Sequence, residues 1–220
     1  MNLRQASSDR EEESTSDVFH HRDDIQPFWG GAGLSASGFL CSTGYAVKTF
    51  FGTRFMVTAG HCYANRTSLR TESGNNTVGT VSNRLLASLG SGSCDMELLG
   101  GRSYAGRVYT GGVFSTSSRP VVAAGSAVVG FNAYCHSGPT TGENCGHTAT
   151  SITAQVCTQS GCKSPVISCT GGVIQQGGDS GGAFYARDSR GGAWIRGHVI
   201  AGSGTTGFID PLTKVASSTA

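Results

Sequence analysis

From "PFWGGAGL" (27–34) onward the chain is written in short apolar runs, most of them alternating with polar residues. They include "GYAVKTFFG" (44–52), "RFMVTA" (54–59), "NTVGTVS" (76–82), "MELLGG" (96–101), "AVVGFNAYC" (127–135), "TATSITAQVC" (148–157) and "AWIRGHVIAG" (193–202). Gly-, Ser- and Asn-rich turns separate them. Apolar residues at every second position, with turn signals every ~8–12 residues, predict an all-β barrel or sandwich. A helical period is suggested only near the end, at "DPLTKVA" (210–216). "STSSRPV" (115–121) predicts a connection between halves of similar size, 28–118 and 119–220. Residues 1–27 read as an acidic linker or propeptide remnant, because "DREEESTSD" has no hydrophobic period.

Composition narrows the class. The chain has 220 residues, 34 of them Gly, and only 14% are charged. That length suits one all-β unit or two small fused barrels. No run of ~18 apolar residues is present, so no membrane span is expected. After residue 24 thirteen Lys/Arg face seven Asp/Glu. These charges are scattered singly, without the clusters and interleaved aromatics of a nucleic-acid surface, so a solvated surface is expected. Eight cysteines, an even number, point to disulfides and an oxidising compartment. Their spacings do not match the usual zinc pairs, so no metal and no cofactor is expected. Met1 is followed by a polar stretch and not by a signal peptide; a secreted protein would have lost its signal from this chain.

Two stretches carry chemistry. "FMVTAGHC" (55–62) ends an apolar run in a small-residue turn that delivers His61 beside Cys62. "QQGGDSGGAF" (175–184) puts Gly on both sides of Ser180. Flanking glycines let the backbone turn tightly and aim successive N–H groups into one cavity, which suits a developing oxyanion. Ser180 is then a nucleophile candidate and His61 its general base, since a serine hydroxyl near its ordinary pKa needs a base within reach. A third group must fix the imidazole tautomer. The carboxylates between them are Glu72, Asp95, Glu97, Glu143 and Asp179. Glu72 and Glu143 fall in polar loops, Asp179 reads as a structural ion pair, and Glu97 has the longer side chain. Asp95, at the mouth of "DMELLGG", is the choice.

In the order His, Asp, Ser, "TAGHC", Asp95 and "GDSGG" resemble the chymotrypsin-like serine endopeptidases, and "CHSGPTTGENCG" (135–146) resembles the bacterial streptogrisin and alpha-lytic branch. The resemblance spans roughly residues 28–213. It implies two antiparallel six-stranded β-barrels packed face to face, with the active site in the cleft between them. His61 and Asp95 fall in the first barrel and Ser180 in the second. It implies His61 as base, Asp95 as orienting acid, Ser180 as nucleophile, and the Gly178 and Ser180 amides as oxyanion donors. It implies disulfides Cys41–Cys62 and Cys135–Cys145. For Cys94, Cys157, Cys162 and Cys169 three pairings are open; "CTQSGC" reads as a hairpin clipped by Cys157–Cys162, which would leave Cys94 with Cys169.

The chain departs from the family where Ile174 stands in place of a bridging cysteine, leaving the pocket walls to packing, and where Ile200 replaces a serine that helps hold the acid. The C-terminal helix is expected short or absent. Ile174, Gln176, Ile200, Ala201 and Gly202 are expected to touch substrate, with Asp210 beyond the pocket strand and His198 off its face. The expected function is a secreted, monomeric endopeptidase cleaving after apolar residues. Its partners would be protein or peptide substrates, with its own propeptide as a candidate, and neither nucleic acid nor membrane. The rival is an inactive homologue serving as a binding module.

Overall fold

The computed structural model describes residues 19–87 and 93–214. In chain order the first strands are Phe28–Gly30 (β1), Gly33–Ala36 (β2), Phe39–Ser42 (β3), Ala46–Lys48 (β4) and Arg54–Thr58 (β5). Then come Ser68–Thr71 (β6), Thr77–Leu86 (β7), Asp95–Gly100 (β8), Tyr104–Tyr109 (β9) and Ser118–Ala124 (β10). The remainder are Tyr134–Gly138 (β11), Gly142–Thr158 (β12), Gly161–Thr170 (β13), Ala183–Arg187 (β14), Ala193–Ser203 (β15) and Thr206–Pro211 (β16).

The strands form two curled sheets. One runs β3-β2-β6-β7-β8-β5-β4; the other runs β1-β9-β10-β15-β14-β11-β12-β13-β16, and β16 pairs back onto β15. That last pairing closes β15-β14-β11-β12-β13-β16 into a ring of six, and every pairing around it is antiparallel. The first sheet has seven strands where six were expected. β10 is the hinge between the units: it pairs antiparallel with β9 and parallel with β15, which draws β1 and β9 into the second sheet.

Each unit fills its own interior. Leu34, Met56, Leu69, Val78, Val81 and Leu99 pack inside the first, and Tyr134, Ile167, Phe184, Val199 and Ile209 inside the second. A third cluster joins residues of both: Tyr45, Val57, Met96 and Leu98 meet Tyr185, Ile195 and Leu212. β8 lies in that seam and all six of its residues are buried, including Asp95 and Glu97. The strand that begins with Asp95 is therefore held on both faces.

Residues 19–27, placed by the sequence with the acidic leader, pack on the body. His21 and Asp24 are fully buried; His21 Nδ1 lies 2.8 Å from Gly31 O, and Asp24 accepts from Trp29 N and the Tyr109 hydroxyl. Of "DPLTKVA", Asp210 and Pro211 end β16, residues 212–214 form one helical turn, and residues 215–216 lie outside the described residues.

Three disulfides are present: Cys41–Cys62, Cys135–Cys145 and Cys157–Cys162. The last two join residues directly opposite one another on paired strands, where Cα atoms approach closely enough to be bridged. Cys94 with Cys169 is not formed; both are free and buried. Cys94 packs in the seam between the units and Cys169 inside the second barrel, so the two thiols sit in different clusters.

Candidate active site

β5 ends at Thr58, and Ala59-Gly60-His61 turns against β7 and β8. Only glycine fits at position 60: a Cβ there would lie 2.7 Å from both Leu85 O and Met96 O. Arg84 Nε donates to Gly60 O at 2.6 Å and Cys62 N to Ala59 O at 3.1 Å. The turn sets His61 over Asp95, the first residue of β8. The His61 amide donates to Asp95 Oδ1 at 2.8 Å, and ring Nδ1 lies 3.2 Å from Oδ1 and 3.0 Å from Oδ2. An ionised carboxylate only accepts, so Nδ1 carries a proton, and in the neutral ring Nε2 then has its lone pair for a substrate-side hydroxyl.

Asp95 is itself fixed from behind. Its amide donates to Asp210 Oδ2 at 2.7 Å and its carbonyl accepts from His198 Nε2 at 2.8 Å. His198 and Asp210 stand opposite each other in the β15–β16 register, and Asp210 is paired with Lys214 Nζ at 2.6 Å. His198 and Asp210 hold the backbone of Asp95 and not its carboxylate, and Lys214 in turn holds Asp210. Sequence reasoning set His198 and Asp210 aside; the signal was their place at matching register positions of two apolar strands. Burial pushes the Asp95 carboxyl up, yet the bonds from the His61 ring and amide and the charge of His61 together outweigh it and hold Asp95 below its ordinary range.

Glu97, two residues along the same strand, is also fully buried, and neither carboxyl oxygen has a hydrogen-bond partner among the described residues. Burial raises its pKa from 4.5 to about 9, against the opposing charge of Arg84. Between those values the folded chain holds a proton that the unfolded chain has released, so stability falls as pH rises across the window. Glu97→Gln, which is neutral in both states, is expected to melt several degrees above the parent at pH 8, the gap closing toward pH 4. Thermal denaturation across pH checks this; equal gaps at both pH values would mean that Glu97 is ionised in the fold.

Ser180 sits on a turn clamped between the two units. Ser42 N donates to Ser180 O at 2.7 Å, Ser42 Oγ to Gly178 O at 2.8 Å, and Gly181 N to Val199 O at 2.7 Å. Gly178 and Gly181 have φ of 101° and 90°, a region that side chains disfavour. A Cβ on Gly181 would collide with Thr58 Oγ1, so the Ser180 turn lies against the end of the strand that leads to His61. The amides of Gly178 and Ser180 donate to no protein acceptor among the described residues. No hydrogen bond joins the Ser180 hydroxyl to His61, whose ring bonds run to Asp95; such contacts commonly tighten only when substrate binds.

Asp179 forms no ion pair among the described residues. It is fully buried and accepts from neutral donors alone: Thr140 N at 3.1 Å and Thr141 N at 3.2 Å on Oδ1, Thr141 Oγ1 at 2.8 Å and Gln176 N at 3.0 Å on Oδ2. Burial raises its carboxyl in spite of these bonds.

Beside the Ser180 turn lies an open cavity of about 630 Å³ lined by residues 171–177 and 202–205. Ile174, Gln176 and Gly202 are in its wall, as expected; Ile200 is not, being packed with Ala59 and Val166, and Ala201 is not among the lining residues. No charged side chain lines it, and Asp210 is turned away toward Lys214 and Asp95. The close groupings of metal-type side chains among the described residues, Cys41/His61/Cys62 and Cys135/Glu143/Cys145, each contain two disulfide-bonded sulfurs and so offer no thiolate.

No family profile matches the chain, and no curated protein sequence does. Solved structures do. A Nocardiopsis protease aligns with a TM-score of 0.69 at 25% identity, covering 86% of this chain and 95% of that one. Cellulomonas bogoriensis chymotrypsin aligns at 0.66 and 28%, covering 86% and 94%. A glutamic-acid-specific serine protease, described as using a histidine triad in substrate binding, aligns at 0.66 and 27%, covering 87% and 97%. Fold and relatives define a chymotrypsin-like serine protease. Within that class the comparisons support a serine-type endopeptidase similar to the streptogrisin and alpha-lytic branch, and protease neighbours imply protein or peptide substrates.

Proposed function

We propose that this chain hydrolyses peptide bonds through His61, Asp95 and Ser180, after apolar residues, outside the cell. The observation that carries the reading is the His61 ring, oriented by Asp95 through Nδ1, beside a Ser180 turn that offers two amides without an acceptor among the described residues. His61 Nε2 takes the Ser180 proton as Oγ attacks the carbonyl carbon, and the Gly178 and Ser180 amides receive the developing oxyanion. His61 then returns the proton to the leaving amine, which departs and leaves an ester on Ser180. Water, deprotonated by the same nitrogen, releases the acid and restores the hydroxyl. Asp95 stays ionised throughout and stabilises the imidazolium. The disulfides support an oxidising, extracellular setting.

The cavity beside Ser180 supports the specificity. With no carboxylate in its wall, a Lys or Arg entering it would lose water without gaining a counter-charge. With no histidine, lysine or arginine in it, a Glu side chain fares no better, and the preference of the glutamate-specific relative does not carry over. Chromogenic peptides ending in Phe, Leu, Ala, Arg and Glu test this. Phe and Leu are expected to exceed Arg and Glu by about 100-fold or more in kcat/KM, the scale of burying an unpaired charge; fastest cleavage after Arg or Glu would overturn the assignment of the pocket.

A further inference from the structure

The second barrel contains a row of polar groups that the peptidase mechanism does not use. Asp179 Oδ2 meets Thr141 Oγ1 at 2.8 Å, and Thr141 Oγ1 meets His136 Nε2 at 2.8 Å. His136 Nδ1 meets His147 Nε2 at 2.8 Å, and His147 Nδ1 meets Gly171 O at 2.7 Å. Both imidazoles and Asp179 are fully buried. The row ties the two ends of one segment: Gly171, at the start of the pocket wall, and Asp179, between Gly178 and Ser180. It lies where the family's bridging cysteine is replaced by Ile174. The expectation that packing alone holds this wall therefore needs correcting.

Counting protons gives the row its meaning. It has four links, and each short contact between oxygen or nitrogen atoms needs one hydrogen. The two ends, a backbone carbonyl and a carboxylate, can only accept. With Asp179 ionised and both imidazoles neutral, Thr141, His136 and His147 bring one hydrogen each, and one link faces lone pair to lone pair. A buried contact of that kind at 2.8 Å is repulsive.

We propose that Asp179, Thr141, His136 and His147 hold one shared proton beyond that count, and that through it His136 and His147 act as positioning residues for the Gly178–Ser180 turn. The positioning part rests on the peptidase reading of that turn; the proton count does not. Burial raises the Asp179 carboxyl and lowers both imidazoles, His136 to about 3, which favours the proton at the carboxyl end. Hydrogens then run one way: Asp179 to Thr141, Thr141 to His136 Nε2, His136 Nδ1 to His147, His147 Nδ1 to Gly171 O. Gln175 Nε2 lies 3.3 Å from His136 Nδ1, while its Oε1 is buried without a partner among the described residues. A half-turn of that amide brings the orphaned oxygen to the His136 Nδ1–H, which it then shares with His147 Nε2 as a second, longer acceptor.

Among the described residues no further charge enters the row. His136 on β11 faces His147 on β12, Gln175 and Thr141; Cys169 on β13 reaches it only through Gln175; Phe184 on β14 lies against the His147 ring. Glu143, the nearest other carboxylate on β12, is turned toward Arg119, Arg187 and the Tyr185 hydroxyl. Loss of the shared proton as pH rises must therefore break one of the four links and loosen the turn.

The experiment is NMR on Ser180→Ala protein labelled at the His ring nitrogens and Asp carboxyl carbons. At neutral pH the four ring nitrogens and the Asp179 carboxyl should together carry three protons, as two on the rings and one on the carboxyl or as three on the rings. Two ring protons with an ionised carboxylate would overturn the proposal. The Gly178 and Asp179 amide signals should shift with the same alkaline titration. Thr141→Val cuts the row and should abolish that coupled shift, whereas Thr141→Ser should restore it; amide signals that ignore the titration, or that follow it equally in the valine variant, would refute the positioning role. In active protein the kcat/KM profile should lose the matching alkaline limb in Thr141→Val. If the amide signals titrate as expected but the parent cleaves no peptide, the peptidase reading fails and this one stands.

Discussion

Ser180→Ala is expected to lower kcat by about 10⁶-fold on a peptide substrate while the protein melts within a degree or two of the parent, because the members of a triad act as one unit and lose nearly everything together. Ser180 is held by its backbone, through Ser42 N on its carbonyl and Gly181 N on Val199, and none of those bonds involves the hydroxyl. Residual hydrolysis of about 10³-fold over water should persist in the variant, supplied by the Gly178 and Ser180 amides and by substrate binding. Steady-state kinetics with a peptide anilide measures it. Retention of more than a few per cent of the parent rate would mean that the nucleophile is elsewhere.

Asp95→Asn carries the second largest expected effect, a fall of about 10⁴-fold in kcat with little change in KM. The cause is the tautomer. An asparagine amide in place of the carboxylate can donate to His61 Nδ1, which leaves the ring proton on Nε2, the atom that must accept from Ser180. The His61 amide, which now donates to Asp95 Oδ1 at 2.8 Å, can still bond the asparagine oxygen, so the turn stays in place. A loss confined to KM would instead mark Asp95 as part of the substrate surface. His198 and Asp210, which grip only the backbone of Asp95, should be unaffected by the change.

The fold was legible from the alternation, and His61 and Ser180 because each stands on a glycine turn where glycine is demanded by contacts that no Cβ survives. Asp95, the first residue of β8, was reached by weighing the few carboxylates between His61 and Ser180. Gly60 against Leu85 and Met96, and Gly181 against Thr58, are local features that leave a mark in the sequence. What could not be read are contacts made by register between distant segments. His198 reaches Asp95 across 103 residues and Lys214 reaches Ser93 across 121, and no local pattern signals either bond. Asp179 next to Ser180 suggested an ion pair, but its partners are two threonines and a backbone amide, residue types too common to single out. Cys94 and Cys169 were paired by elimination; evenness of number says nothing about whether two thiols share a cluster.

Some apolar runs also overstated the core. In "AVVGFNAYC" the strand begins only at Tyr134, and Val128 and Val129 are 62% and 52% exposed on the preceding turn. Phe50 and Phe51, at the tip between β4 and β5, are each 92% exposed, although "KTFFG" reads as part of a strand. In both places the turn glycines, Gly130 and Gly52 with φ of 86° and 94°, end the pairing regardless of the apolar neighbours.

The central claim is that a single activated serine does the chemistry, and a fluorophosphonate tests it most directly. Incubation with diisopropyl fluorophosphate followed by intact-mass and peptide analysis should find one adduct per chain, on Ser180, its formation suppressed in His61→Ala and absent in Ser180→Ala. No adduct on the folded protein, or an adduct on any other residue, would contradict it.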